Sequence, residues 1–511
     1  MNFSPTPSPS VAPSPGPGPP AALLLPPPPA PAPALAALGC ALFALAWLAM
    51  SRDRWAALPL GRAVSVACVA ALFVASSLLT PAAAFAAVNV ETLALLLGCM
   101  LISAVAELRG AYAALEAALT GGAPAPFALL LRVSGVAALS SAFITNDASC
   151  VVLTPLVLRA CLARRLHPAP FLLALATSAN IGSSASPIGN PQNMIVATMG
   201  ALLFAKDFLR AVLAAALLGL AANAAVIALV YRRELFGGAE YEASPQQLAS
   251  LGLEAGDAAP PPPPPPPSPP PPPPPSRPAA GVVAMATSAA PGEVTVASAA
   301  SPAAAAATGA SLRQRAVHAV LLATPVLLIA ADSWVGLSWM TLLLAGLLLA
   351  IDGGAPEAAL ARVDAQLLLF FAGLFVVVSG FNATGLPRAA WAAASAAGVG
   401  VTGGAAGVAL FTLVVTVGSN TVSNVPLVLL LAPTVSSLPP SSVRATWLLL
   451  AFVSTVAGNL TLVGSVANLI VAERAKASFE LTFSEYARVG VPSTMLVLLL
   501  GTPIVWALSA A

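Results

Sequence analysis

The chain has 511 residues, of which 58% are hydrophobic and only 8% charged, with a net charge of +2 and a mean hydropathy of +0.91. A soluble domain carries about a quarter charged residues, so twenty-one basic and nineteen acidic side chains cannot cover a 50.7 kDa globule. A water-soluble fold and a nucleic-acid partner are excluded; a multi-pass protein of the lipid bilayer remains, at roughly 20 apolar residues per helical crossing.

Residues 1–34 are mostly Pro, Ala and Ser and carry no charge, and the first charged residue is Arg52, so this stretch reads as a disordered tail rather than a leader peptide. Apolar segments follow at 35–50, 61–79, 90–107, 125–142, 168–200 and 203–231. A polar interval at 232–312 interrupts them and holds a proline tract, Pro260 to Pro275, broken only by Ser268. Polyproline packs no core and acts as an extended spacer; a proline-binding domain at 260–275 is the alternative reading. Apolar segments resume at 314–331, 334–351, 364–382, 400–418, 443–472 and 489–508. The expected organisation is a tail at 1–34, a first membrane repeat at 35–235, a disordered linker at 236–312 and a second repeat at 313–511. Five cysteines without a CxxC spacing suggest neither disulfides nor zinc, and no cofactor is expected.

The two halves share landmarks. Gly98 and Gly373 lie 275 residues apart, Asn146 and Asn424 lie 278 apart, and Gly189-Asn-Pro-Gln-Asn193-Met-Ile-Val-Ala197 mirrors Gly464-Ser-Val-Ala-Asn468-Leu-Ile-Val-Ala472 at 275. Three landmarks in one order at nearly constant spacing mark an internal duplication. Duplicated halves with interrupted apolar segments are the signature of secondary transporters. The fold class expected is an all-α polytopic membrane protein of two homologous repeats of five to six transmembrane helices, each with a re-entrant hairpin and a broken helix. Segment counting and the scattered arginines leave the relative orientation of the repeats open.

The breaks carry the chemistry. Asn180, Gly182, Ser183, Ser184, Gly189, Asn190 and Asn193 surround two glycines and two prolines that no helix tolerates. Asn459, Thr461, Gly464, Ser465 and Asn468 repeat the interruption. Broken backbone at membrane depth is tolerated only where protein buries it or a polar cavity adjoins it, so these residues are candidates for a midplane solute and ion site. Close packing of small residues, with Asn as interhelical glue, is the competing reading. Before each break, 143–161 and 418–436 each hold a polar front and a central Pro, and read as hairpins with Thr145, Asn146, Asp147, Ser423 and Asn424 at their tips. Asp147 is the sharpest candidate, because a carboxylate at membrane depth is expensive and its counterpart is Val425. It is expected to bind and release a coupling proton, with sodium as the alternative ion. Neither break contains Arg or Lys, which disfavours a multiply charged anion.

The runs Ser141-Ala-Phe-Ile-Thr145-Asn-Asp147-Ala-Ser-Cys150 and Phe171 to Asn193 resemble the plant silicon efflux transporters, as do Ser379 to Pro387, Ser454 to Asn468 and Val491-Pro-Ser-Thr494. That group belongs with the arsenite permeases in the ion-transporter superfamily. The resemblance implies inverted repeats around a midplane site, and proton-coupled efflux of a small neutral hydroxide such as silicic or arsenous acid. A sodium-coupled dicarboxylate carrier is the alternative within the superfamily, and no enzyme chemistry is implied. Pro155 stands where the silicon proteins carry an acid, a feature shared instead with arsenite permeases. The expected location is the plasma membrane, and a homo-oligomer is compatible with the sequence.

Overall fold

The computed structural model describes residues 33–51, 61–111, 125–238, 240–251, 302–353 and 356–510, with a few positions between 117 and 122. The tail at 1–32 and the proline tract at 260–275 lie outside the described residues. The first half contributes α1 (Pro33–Ser51), α2 (Arg62–Ala75), α3 (Pro81–Ala87), α4 (Val90–Leu108), α5 (Pro126–Phe143), α6 (Asn146–Leu162), α7 (Ala169–Ser183), α8 (Pro191–Gly200) and α9 (Arg210–Val230). The second contributes α10 (Pro302–Val335), α11 (Leu337–Asp352), α12 (Ala365–Ala383), α13 (Leu386–Ala396), α14 (Gly404–Val422), α15 (Asn424–Ser436), α16 (Pro440–Ala457), α17 (Val466–Ala475) and α18 (Phe483–Ala510). Among the described residues, eight helical stretches are long and apolar enough to cross a bilayer, which makes this a multi-pass membrane protein.

Prolines open several of these helices. Pro126, Pro191 and Pro440 sit at first positions, where the missing N–H has no intrahelical partner to lose. The duplication extends to the caps: the Asn89 side chain accepts from Thr92 N at 2.8 Å to start α4, and Asp364 accepts from Leu367 N at 2.9 Å to start α12. Helices exchange partners between the halves, with α2 lying along α12 and α11 along α4. These, with α1, α3 and α10, form an outer body. The inner body holds α5–α9 and α14–α18, with α9 packed along α18. Within it α7 and most of α16 are buried on every side, as befits helices at the centre of a bundle. Without a hydrophobic drive between helices in lipid, close backbone approach does the packing. At Gly182 a Cβ would come 2.3 Å from Ala138 O, so only glycine lets α7 touch α5 there.

Two expectations need correction. The hairpins expected within 143–161 and 418–436 are instead turns between two whole helices, α5 and α6 in the first half and α14 and α15 in the second, with Pro155 and Pro433 inside α6 and α15 rather than at a turn. The tips fall at Thr145 and Ser423, as the polar clusters suggested. Second, the expected linker at 236–312 is partly built. Residues 240–251 fold back as a clasp: Tyr241 N donates to Arg165 O at 2.7 Å, Gln247 Nε2 to Tyr241 Oη at 3.1 Å, and the Ser250 and Ser478 hydroxyls meet at 2.6 Å. The helix expected from 314 already begins at Pro302.

Candidate functional site

Each tip turns without glycine. Thr145 adopts φ 115° and Ser423 φ 75°, at positions 278 residues apart, and a positive φ at a non-glycine residue costs on the order of 1–3 kcal/mol. The strain aims a helix N-terminus at each break. Asn146 N donates to Gly189 O at 2.8 Å and Thr145 Oγ1 accepts from Ala148 N at 3.4 Å, fixing the start of α6 against the first break. Asp147 follows in the first turn of α6, where the helix dipole favours an anion.

Behind the tips, amides and hydroxyls from both halves interlock. Asn180 Oδ1 accepts from Asn146 Nδ2 (2.9 Å) and Ser465 Oγ (3.1 Å), while its Nδ2 donates to Asn459 Oδ1 (2.8 Å) and Asn468 Oδ1 (3.0 Å). Thr455 plays the reciprocal part in the first break: it accepts from Asn190 Nδ2 and Gln192 Nε2, both at 3.3 Å, and donates to Asn193 Oδ1 at 3.2 Å. The landmark spacing of 275 residues makes Thr455 the counterpart of Asn180, so each broken helix holds the other's break. Asn193 Nδ2 gathers the carbonyls of Ser183, Ser184 and Ser186, and Asn468 Nδ2 gathers those of Gly458 and Thr461. The carbonyls freed by the breaks are thereby satisfied within the protein, as membrane depth requires.

A cleft of about 950 Å³ opens over the tips, between α12 and α17. Of the residues expected at the site, Asn146, Asp147, Ser423, Asn424 and Ser465 line it. The remaining members lie outside its lining: Thr145 forms the turn, and Asn180, Gly182, Ser183, Ser184, Gly189, Asn190, Asn193, Asn459, Thr461, Gly464 and Asn468 form the interlock behind it. In this conformation the amides of that group bond to one another and to nearby carbonyls rather than facing the cleft. The cleft wall keeps unused hydrogen-bonding capacity: among the described residues Asn424 Oδ1 and Ser419 Oγ are buried without a partner, and the Asp147 carboxylate makes no hydrogen bond or ion pair. Buried polar atoms without partners are uncommon enough to demand an explanation, and solute or water is the direct one.

Other residues complete these contacts, among them Asn420 of the polar stretch at the second tip. Asn420 Nδ2 donates to Ala457 O at 2.9 Å and its Oδ1 accepts from Thr461 Oγ1 at 3.2 Å, holding the second tip to the second break. Gln192 and Thr455 stand inside motifs already noted, but their contacts cross between halves. Arg62 and Asp364 line the cleft from the N-termini of α2 and α12, so the cavity has a cation that the breaks themselves lack. Glu107 lies at the end of α4, 3.7 Å from Arg362 and away from the cleft. Cys150 is buried, and all five cysteines are free.

Comparison with known proteins adds the family context. Residues 42–457 match the family described as citrate transporter (CitMHS). The chain is 38% identical over 480 residues to the silicon efflux transporter LSI3 of rice, spanning 92% of this chain and 97% of that one. It is 39% identical over 499 residues to the Dictyostelium discoideum protein named arsB, spanning 88% of each. A solved YdaH transporter from Alcanivorax borkumensis aligns over 93% of this chain and 98% of its own, at 15% identity and a TM-score of 0.49.

Proposed function

The chain belongs to the citrate-transporter family of membrane carriers, and from that premise we propose that it exports a small neutral hydroxide, silicic or arsenous acid, by proton antiport at the plasma membrane. The observation that carries the reading is the composition of the cleft. Amides and hydroxyls that can both donate and accept suit an uncharged polyol-like solute, and the unpaired Asp147 carboxylate suits a proton. The cleft far exceeds such a solute in volume, so it serves as a vestibule leading to the tips.

The packing supports inversion and alternating access. With each hairpin entering and leaving on one face, α4, the α7–α8 pair, α9, α10 and α11 make five crossings before α12, and an odd number inverts the repeats. The halves are not in the same state: α4 packs on α8, whereas α12 packs on α15 and the cleft separates it from α17. Exchange of these two pairings would close the cleft and open its counterpart beside α8. Helix direction also supports a sidedness. Arg109, Arg164, Arg165, Arg232, Arg233, Arg313, Arg315, Arg362, Arg474 and Lys476 fall at the cleft end, against Lys206, Arg210, Arg388 and Arg444 at the other. The positive-inside rule then turns the cleft to the cytoplasm, the loading side for export.

Purified protein in liposomes with an imposed pH gradient, assayed for silicic acid and arsenite flux with and without sodium, tests the proposal. Flux that needs the pH gradient and not sodium is expected. Arg62 in the cleft favours one second reading, a carboxylate solute, and sodium-dependent citrate uptake without flux of either hydroxide would select it.

A further inference from the structure

The interlock fixes which end of the Gln192 amide faces the cleft. Asn193 gives its Nδ2 to the backbone carbonyls of Ser183, Ser184 and Ser186, which can only accept, so its Oδ1 is the end turned to Thr455. The Thr455 hydroxyl has one hydrogen and spends it on that Oδ1 at 3.2 Å. Gln192 meets the same hydroxyl at 3.3 Å and must therefore do so with an N–H. Its carbonyl oxygen is left over. Gln192 is 5% exposed and lines the cleft; among the described residues that oxygen has no hydrogen-bond partner, yet it is not sealed inside the protein. The cleft is the space it faces. Packing does not account for this amide, because Thr455 is already held by Asn190 and Asn193, and the counterpart position 275 residues on is Ala467.

Ser465 repeats the arrangement from the second break. Asn468 and Asn459 commit their Nδ2 groups to backbone carbonyls, so Asn180 donates to both of them and accepts on Oδ1. Ser465 gives its one hydrogen to that Oδ1 at 3.1 Å and can only accept on its cleft side. Each break thus offers the cleft an oxygen with its polarity locked from behind, beside the Asp147 carboxylate. We propose that Gln192 is a specificity-determining residue, whose carbonyl oxygen accepts a hydrogen bond from a hydroxyl of the solute and so selects fully protonated hydroxides over anions. The inference rests on the neutral-hydroxide reading and deepens it by naming what tells hydroxide from anion. A carboxylate has no hydrogen to give and would set oxygen against oxygen, leaving a buried acceptor unpaired.

The experiment titrates the full-length protein in detergent with silicic acid, arsenous acid and citrate in turn, following binding by calorimetry. The wild type should take a hydroxide at least about tenfold more tightly than citrate. Gln192→Met keeps the length of the side chain and removes the acceptor, and should weaken the hydroxide about tenfold, the worth of one hydrogen bond. Citrate affinity should hold or rise, because the opposing oxygen is gone. Thr455 keeps two partners in this variant, so the thermal midpoint should not move. Gln192→Asn, which withdraws the amide by one methylene, should give the same loss and serves if the first variant fails to fold. Damage to packing would weaken every ligand alike, so an equal loss for hydroxide and citrate would overturn the assignment. Unchanged hydroxide affinity in both variants, or citrate bound more tightly than either hydroxide by the wild type, would also overturn it. Hydroxide binding that ignores Gln192 sinks this inference and leaves the transport reading; the expected binding pattern without pH-driven flux sinks proton antiport and leaves Gln192 in its role. Absence of any hydroxide binding sinks both.

Discussion

Asn180 spends its amide on four partners, whereas Asn424 leaves its carbonyl oxygen unpaired in the cleft wall. The same truncation should therefore have opposite signatures. Asn180→Ala strands buried groups on both halves, and each orphaned group costs about 1–3 kcal/mol, so the thermal midpoint in detergent should fall by several degrees. Asn424→Ala strands nothing further; its midpoint should hold within a degree or two while the KM for solute rises several-fold. Equal stability loss in both would place Asn424 in the interlock instead. At Asp147 the charge itself is at issue: Asp147→Asn should leave a monodisperse protein that no longer couples flux to a pH gradient, and retained coupling removes the carboxylate from the mechanism.

The hairpins show which features an amino-acid sequence discloses at the level of elements. Their tips were legible because Thr145-Asn146-Asp147 and Ser423-Asn424 concentrate polarity in an apolar run and recur at a spacing of 278. Their limbs were not. Both turns use a non-glycine residue at positive φ, so no Gly or Pro marks the reversal, and Pro126–Phe143 is as apolar as a spanning helix. The interlock was legible only in part, since Thr455 and Asn420 matter through partners that no sequence period relates to them. Arg62 gave no signal, because its neighbours in the cleft come from α6 and α12. The tips also store strain, so Ser423→Gly should relieve about 1 kcal/mol or more and raise the melting midpoint, yet slow transport by loosening the aim of α15. A variant both more stable and fully active would show that the strain has no role.

For the whole molecule, the stretch expected as a linker carries the clasp at 240–251 and the start of α10. Deleting 252–301 should leave flux unchanged, because the clasp at 240–251 and the helix from Pro302 remain. Deleting 240–251 should lower stability by removing the ties to Arg165 and Ser478, an outcome read by thermal unfolding in detergent. The exchanged pairing of α2 with α12 and α11 with α4 also bears on biosynthesis. As α2 enters the bilayer, the helix it is shaped to meet lies some 300 residues downstream. At roughly 5–20 residues per second that is a wait of about a quarter of a minute to a minute. During it the face of α2 around Val66, Ala70 and Phe73 has only lipid or the insertion machinery for company. Neither half is then a self-sufficient folding unit, and a polypeptide that ends before α12 keeps that face of α2 unpaired.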